Sequence, residues 1–293
     1  MSRRFALLVN PAAAGGKALA AVAPATEELK RLGADFRVIE TASGEHAKRE
    51  ARAAAAAGET TVAVGGDGLV GTLAGAICGS DAALGIIPAG RGNDFARVLE
   101  IPTDPCEAAN VAFTGDTRLL DVGEVDGKSF VGIASVGFDS DANRIANEAK
   151  LVRGNLVYAY AAFKALAKWK PARFEVVIDG EQHEVTGYSV GVCNSKAYGG
   201  GMYAAPQAEL DDGLLDVILC ATHPKWRFLF RTLPKVFKGT HLEDPAFTCF
   251  TGRTVEVSAD RPFTMYADGD PLADLPATVQ VRPHSLHVVV PRG

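Results

Sequence analysis

Residues 62–71 read Val-Ala-Val-Gly-Gly-Asp-Gly-Leu-Val-Gly, and no other run restricts the folds open to this chain as strongly. Three apolar residues run into glycines that bracket one carboxylate, Asp67. After Leu69 the apolar residues Leu73, Ala76 and Ile77 recur at helical spacing. A buried strand that turns on glycine into a helix is the repeating unit of parallel α/β sheets. It is also a phosphate cradle: glycine admits a close backbone approach, and the first N–H groups of a helix favour an anion. Taken alone, a glycine loop also has a plain tight turn as its lesser reading.

Two nucleotide fingerprints can be tested on this run. Gly66, Gly68 and Gly71 satisfy G-x-G-x-x-G, but a dinucleotide site also wants an acid about 20 residues on, ending the next strand. That strand, Ala83-Leu84-Gly85-Ile86-Ile87, ends in Pro88, so the dinucleotide reading fails. The Walker A pattern fails as well. Gly16-Lys17 is followed by Ala18, and Pro11 stands where the first glycine belongs.

The strand–helix rhythm fills the first third of the chain. Phe5–Val9 and Phe36–Ile39 read as strands, and Leu19, Val22, Leu29 and Leu32 lie near helical spacing. Pro24 falls inside that helical pattern and predicts a kink or a late start. Thr41–Glu45 opens an alanine-rich helix over His46–Ala57, and a further helix is expected near Asn93–Leu99. A parallel sheet with helices on both faces binds ligands at the carboxyl ends of its strands. The loops Asn10–Gly16, Gly65–Gly71 and Pro88–Asp94 should therefore converge.

Near Asp121 the rhythm changes. Phe130–Val136, Phe174–Ile178, Tyr188–Val192, Leu214–Leu219, Thr254–Val257 and Thr278–Val281 read as strands, mostly without helices between them. This predicts a second, mostly antiparallel β domain with helical inserts near Asn155–Trp169 and Lys225–Lys238. The last strand, Leu286–Val290, fits either domain. The expected division is 1–122 with 285–293, and 123–284.

Composition narrows the function classes. A length of 293 residues allows one large or two medium domains. A net charge of −5 argues against general nucleic-acid binding. The five cysteines are scattered with no C-x-x-C, which points to a reducing compartment and away from zinc or disulfides. No apolar run approaches the ~20 residues of a membrane span, and the start of the chain lacks a signal-peptide core, so a cytoplasmic protein is expected. One stretch departs from the acidic balance. Lys225, Arg227, Arg231, Lys235 and Lys238 interleave with Trp226, Phe228, Phe230 and Phe237, with no acid among them. The reading is either a helix packed on the β domain with solvated cations, or a contact for anionic lipid headgroups.

Gly65-Gly66-Asp67-Gly68, followed by Pro88-x-Gly90-x-x-Asn93-Asp94-Phe95-Ala96-Arg97, resembles the diacylglycerol kinase catalytic family. The likeness is to its bacterial soluble lipid kinases, with sphingosine and ceramide kinases more distant. It extends over nearly the whole chain, through Asn10-Pro11, Leu120-Asp121-Val122-Gly123 with Phe130, Gly137 and Phe138, Glu209–Leu214 and Asp268-Gly269-Asp270. The resemblance implies an α/β plus β fold. A three-layer α/β/α nucleotide domain would be joined to a β-sandwich-like lipid domain, with the cleft between them. It implies ATP and Mg²⁺ as cofactors and a membrane lipid as substrate. The ATP site would comprise Asn10, Pro11, Ala12, Ala13, Ala14, Thr41, Gly65, Gly66, Asp67, Gly68, Leu69, Val70, Gly71, Arg91, Asn93 and Asp94. Asp121 would organise the catalytic metal. Glu209, Asp212 and Leu214 would hold a structural Mg²⁺, the first and last through backbone carbonyls, though an acidic β-turn reads the same way. Asp270 would be the general base. Asp67 lies where an uncompensated carboxylate would repel phosphate, so it is expected to face a metal or to support the loop.

The chain departs from the family pattern in three places. Asp270 replaces a glutamate, shortening the side chain by about 1.5 Å. Arg91 stands where threonine is common, and its guanidinium suits phosphate. Leu69-Val70-Gly71 replaces T-x-N. Diacylglycerol is the first expected substrate. The rivals are a sphingoid or ceramide kinase, a soluble-substrate enzyme such as NAD kinase, and a non-catalytic relative that binds lipid or nucleotide. Transient contact with the inner face of a membrane is expected, and a homodimer is left open.

Overall fold

The computed structural model describes residues 4–138, 140–141, 145 and 163–293. Packing divides the chain into two units, Met1–Val122 with Pro283–Gly293, and Gly123–Arg282.

The first unit alternates strand and helix. Its elements are β1 (Arg4–Val9), α1 (Lys17–Arg31), β2 (Asp35–Glu40), α2 (Gly44–Ala56), β3 (Thr60–Gly65), α3 (Asp67–Ile77), β4 (Ala83–Pro88), α4 (Asp94–Val98) and α5 (Pro105–Thr114). The strands pair in parallel in the order β2-β1-β3-β4. His287 and Val288 of the C-terminal segment extend the sheet in parallel beside β4. Every residue of β3 is buried, as a strand covered on both faces must be. β2, at the edge, only half-buries Phe36 and Ile39. Val9 lies opposite both Glu40 and Val64, and Gly65 lies opposite Pro88, so all four strands end at one edge of the sheet.

Two helix pairs cover the sheet, α1 with α5 and α2 with α3. The buried stripes are built largely from alanine: Ala18, Ala21 and Ala25 in α1, Ala47, Ala51 and Ala54 in α2. Small side chains let helix backbones approach the sheet and each other closely. The late start expected from Pro24 is not found, because α1 begins at Lys17 and carries Pro24 in its interior. Packing of Ala21, Ala25 and Leu29 outweighs the missing backbone donor. α5 is a helix the apolar spacing does not announce. Its signal is the cap, where Asp104 accepts from the N–H groups of Cys106 and Glu107 at 2.9 and 3.0 Å and Pro105 occupies the first turn.

The second unit is mostly antiparallel. It contains β6 (Lys128–Phe130), β7 (Ile133–Gly137), β8 (Ala172–Ile178), β9 (Glu181–Cys193), β12 (Leu215–Ala221), β13 (Phe247–Gly252), β14 (Thr254–Ala259), β15 (Thr264–Ala267) and β16 (Asp270–Asp274). A short hairpin of β10 (Ala197–Tyr198) and β11 (Met202–Tyr203) stands apart. β5 (Asp116–Val125) and β17 (Ala277–Val290) have residues in both units. The strand order is β16-β15-β7-β9-β8-β14-β17, with β12 also on β9 and β13 on β12. β9 organises this sheet: its first half pairs with β8, and its second half lies between β7 and β12. Phe130, Phe174, Val190, Val192, Val217, Val255, Met265 and Val279 form its core.

Two expected segments differ in extent. Thr278–Val281 and Leu286–Val290 belong to one continuous strand, β17. Of the insert expected over Asn155–Trp169, residues 155–162 lie outside the described residues, and residues 163–168 are helical. The insert at Lys225–Lys238 is helical, as an α-turn over Lys225–Arg227, a π-turn over Phe228–Thr232 and an α-turn over Leu233–Val236. Among the described residues, no helix is long and apolar enough to cross a membrane.

Pro24 supplies a test of how strongly packing overrides local preference. Proline in a helix interior costs about 3 kcal/mol relative to alanine, while the unfolded-state entropy it removes returns roughly 0.4–1 kcal/mol. Pro24→Ala should therefore stabilise the protein by about 2 kcal/mol, seen as a higher urea midpoint at an unchanged m-value.

Candidate active site

The carboxyl edge of the first unit's sheet gathers the loops that the sequence marks. After β1, the Asn10 side chain accepts from the N–H of Ala12 at 3.1 Å, and Ala13 N–H donates to Asn10 O at 3.0 Å. This turn leads through Ala13–Gly15 into α1. Thr41, buried at the end of β2, places both its N–H (2.8 Å) and its hydroxyl (3.0 Å) on Val9 O. The two strand ends are thereby fixed to each other.

The loops after β3 and β4 meet backbone to backbone. A Cβ built on Gly66 would stand 2.9 Å from the Cα of Gly90, so only glycine fits there. Ala89 N–H donates to Gly65 O at 2.8 Å beside this contact. The second loop closes on itself through Asn93, whose backbone is left-handed (φ 52°). Its side-chain oxygen accepts from Gly90 N–H at 2.8 Å. Arg97 donates to Gly92 O at 3.0 Å and lies 3.8 Å from the Asp94 carboxylate.

Asp67 joins the two loops. It opens α3, yet its carboxylate accepts from Phe95 N–H at 3.2 Å, in the first turn of α4. Asp67 thus caps a helix other than its own. Burial pushes its carboxyl above the ordinary range, against the pull of the amides at Phe95 and Asp94, its own amide and that of Asn93. Of the two expectations for this residue, the geometry matches support of the loop. A Cβ on Gly92 would meet carboxylate oxygens of both Asp94 and Asp67 at 2.8 and 3.0 Å, so the two acids flank that glycine. Arg91 extends an exposed side chain from the same loop. The N–H groups of Asp67 and Gly68 lead the 11-residue α3 and have no carbonyl four residues back within the helix. Gly65, Gly66, Gly68, Leu69, Val70 and Gly71 thus wrap a helix start at the carboxyl edge, with Asn10–Ala14 and Thr41 beside them on neighbouring strand ends. A backbone cradle of this kind fits the phosphates of a nucleotide.

The remaining marked residues divide. Asp121, fully buried on β5, accepts from His284 N–H at 2.7 Å, where the chain turns through a left-handed residue. Glu209, Asp212 and Leu214 belong to the second unit. Asp212 is exposed and accepts from Leu214 N–H at 3.0 Å, across Gly213. This turn offers oxygen donors alone, which suits a hard divalent cation. Among the described residues, no three His, Cys, Asp or Glu side chains converge as a metal cage. Next to the turn, burial and then the charge of Asp212 raise the Asp216 carboxyl, while a hydrogen bond from Gln207 opposes them. Cys249, beside Asp216, is pushed up to about 11 by burial and that carboxylate, so its thiol stays protonated.

Asp270 follows the Asp268-Gly269 turn that joins β15 to β16. Both turn residues have positive φ, 50° and 93°, as a two-residue hairpin of the primed type requires. The Asp268 carboxylate accepts from Val131 and Gly132 N–H, both at 2.9 Å, and the side chain of Asn194 donates to Val131 O at 3.0 Å. The hairpin is thus fastened to the segment before β7. Sequence reasoning gave Asp268 no separate role and passed over Asn194. The Asp-Gly pair signals the turn, but nothing local says that its carboxylate is used on other loops. Asp270 itself is exposed, and the protein around it raises its carboxyl above the ordinary range.

Comparison with known proteins fits this geometry. Residues 4–125 match the diacylglycerol kinase catalytic domain, and residues 132–290 match the YegS C-terminal NAD kinase beta sandwich-like domain. A Mycobacterium tuberculosis protein named "Diacylglycerol kinase" is 36% identical, over 97% of this chain and 94% of its own. A Pseudomonas fluorescens protein named "Probable lipid kinase YegS-like" is 32% identical, over 99% of this chain and 97% of its own. A crystal structure from Bacillus anthracis (strain Sterne) shares the fold, with a TM-score of 0.82 at 21% identity over 99% of this chain and 98% of that one. The class is an α/β domain coupled in sequence to a β-sandwich-like domain. The chain belongs to the diacylglycerol kinase catalytic family.

Asp67 gives a pH test. Its folded-state pKa is raised, so the buried charge opposes folding progressively as pH climbs above the ordinary aspartate value, and fully so above the folded value. Asp67→Asn removes the charge and keeps an acceptor. The stability of Asp67→Asn relative to the native chain should therefore rise as the pH climbs above the ordinary aspartate value and level off above the folded one, measured by urea unfolding. Asp67→Ala, which also loses the cap, should cost about 1–2 kcal/mol.

Proposed function

We propose that the protein is a lipid kinase that transfers the γ-phosphate of ATP to the hydroxyl of a membrane lipid, diacylglycerol first among them, at the inner face of the membrane. The observation that carries this reading is the joined pair of loops at Gly66 and Gly90, a backbone cradle at the carboxyl edge of a parallel sheet. The Mycobacterium tuberculosis relative favours diacylglycerol over the other lipids.

In this reading Asn10–Ala14, Thr41 and Gly65–Gly71 hold the nucleotide, with main-chain N–H groups aimed at its phosphates. Arg91 and Asn93 stand on the second loop. The exposed guanidinium of Arg91 reaches the terminal phosphate, while Asn93 keeps that loop in shape. Asp94 joins Asp67 beside Gly92. Mg²⁺, when bound, neutralises charge on the phosphates and on the transferring group. Asp121 supports the catalytic metal from β5, and Glu209, Asp212 and Leu214 hold a structural one.

Asp270 takes the proton from the lipid hydroxyl as its oxygen bonds the γ-phosphorus. The bond from that phosphorus to the bridging oxygen breaks, and the electron pair leaves on the diphosphate. The raised carboxyl of Asp270 suits a base that must hold a proton briefly and pass it on. Its shorter side chain, compared with the family glutamate, is the reason to expect a slow enzyme, since misplacement on the order of 1 Å can cost roughly 10²-fold.

Purified protein incubated with γ-labelled ATP, Mg²⁺ and a panel of lipids should label diacylglycerol as phosphatidic acid. Label in a soluble acceptor and in no lipid would sink the reading. Asp270→Asn should lower kcat by about 10²–10⁴-fold and leave nucleotide affinity within about twofold. In the native chain the acid limb of kcat/KM should lie above the ordinary aspartate range, since the base must be ionised and its pKa is raised. Asp270→Glu should keep or raise turnover. An unchanged rate in Asp270→Asn removes the base assignment.

A further inference from the structure

The helical segment at Lys225–Val236 presents two faces of opposite character. Phe228, Thr232 and Val236 are buried, at 6%, 0% and 8% exposure. Thr232 is tied down further by His223, whose Nε2 lies 3.2 Å from its hydroxyl. On the other side, Trp226 is 59% exposed, Phe230 71% and, just past the segment, Phe237 50%. Each row advances by four residues, except for the last step, Phe230 to Phe237, which is seven. In a regular α-helix such a row drifts by about 40° per step. The wider π-turn over Phe228–Thr232 takes up part of that drift between Phe228 and Thr232.

The cations along this segment are unevenly committed. Arg227 is neutralised by a two-pronged contact with Asp244, at 2.9 Å to each oxygen. Lys235 lies 4.0 Å from Glu243. Lys225 donates to Ala167 O at 3.2 Å and keeps its charge. Arg231 and Lys238 are exposed and make no ion pair with a described residue. A row of exposed rings therefore sits among three cations that make no ion pair with a described residue, on a chain whose net charge is −5.

We infer that this face docks the protein on an anionic lipid bilayer, with Trp226, Phe230 and Phe237 at the headgroup level and Lys225, Arg231 and Lys238 on lipid phosphates. It deepens the lipid-kinase reading, because an acceptor held in a bilayer must be approached there. Aromatic rings favour the membrane interface, and long basic side chains reach headgroups while their stems stay apolar. A second copy of the chain is a poorer occupant. A two-fold contact through this face would set Arg231 and Lys238 against their own copies.

The test uses the whole chain without nucleotide. Trp226 is one of two tryptophans, and the other, Trp169, is buried. Emission should shift to the blue and become shielded from acrylamide on adding phosphatidylcholine vesicles containing phosphatidylglycerol, and much less with phosphatidylcholine alone. Trp226→Ser with Phe230→Ser should lower co-sedimentation with the anionic vesicles at least tenfold, while Trp226→Phe retains most of it. Arg231→Gln and Lys238→Gln should each lower it on the order of fivefold. The side chains concerned are exposed, so circular dichroism and nucleotide affinity should not move.

Equal binding to neutral and anionic vesicles, or unchanged binding in the serine double variant, overturns the inference. So does concentration-dependent dimerisation that the double variant abolishes without vesicle binding, which would assign the face to a second copy. A chain that docks through these residues and phosphorylates no lipid leaves the docking face standing and removes the kinase reading instead.

Discussion

The carboxylate of Asp67 holds the first unit's site together. α4 spans only Asp94–Val98, too short to be stable by itself. It forms because Asp67, arriving from another helix, takes an amide of its first turn. Asn93, just before α4, and Arg97, on it, shape the loop through Gly90 and Gly92. That loop rests on Gly66, the residue before Asp67. The contacts close a ring, completed by a buried carboxyl whose protonation the fold displaces upward. A site built in this way is ordered before any ligand arrives, which is what tight, oriented binding of a flexible triphosphate demands.

The same residue type recurs with the same duty elsewhere. Asp121 takes the N–H of His284, Asp268 takes those of Val131 and Gly132, and Asp179 takes those of Arg253 and Thr254. Aspartate is short and accepts only, so it can fasten a turn to main chain without filling the space a longer acid needs. Asp270 stands outside this group. Its carboxylate is exposed and accepts from no main-chain amide of a described residue. The contrast supports reading it as the acid kept for chemistry.

The layered architecture was legible because burial writes periodicity into sequence. β1, β3 and β4 are continuous apolar runs since both faces are covered, and glycines and prolines punctuate them. α5 was hidden because its buried residues are Ala108, Ala109 and Ala112, which leave a faint apolar signal. Of the two outcomes Pro24 suggests, the late start fails because helix packing, which local preference leaves out, overrides it. In the second unit, β15 and β16 are short and polar in part, and only the Asp-Gly pair marks their turn. At the site, the loops could be found by pattern, but not the amide that Asp67 serves or the glycine that Gly66 meets. Those are tertiary facts, and no spacing within a segment encodes them. The π-turn beneath the aromatic row is of the same kind.

The contact between Gly66 and Gly90 has a consequence for how such a chain can vary over time. Where two side chains meet, a larger residue on one side can be accommodated by a smaller one on the other, and the pair drifts together. Here both partners already carry the smallest side chain there is. No second-site change at the contact can rescue a first. The two positions should therefore stay fixed independently rather than covary, and divergence in nucleotide handling is pushed outward to neighbours with room, of which Arg91 is the nearest exposed one.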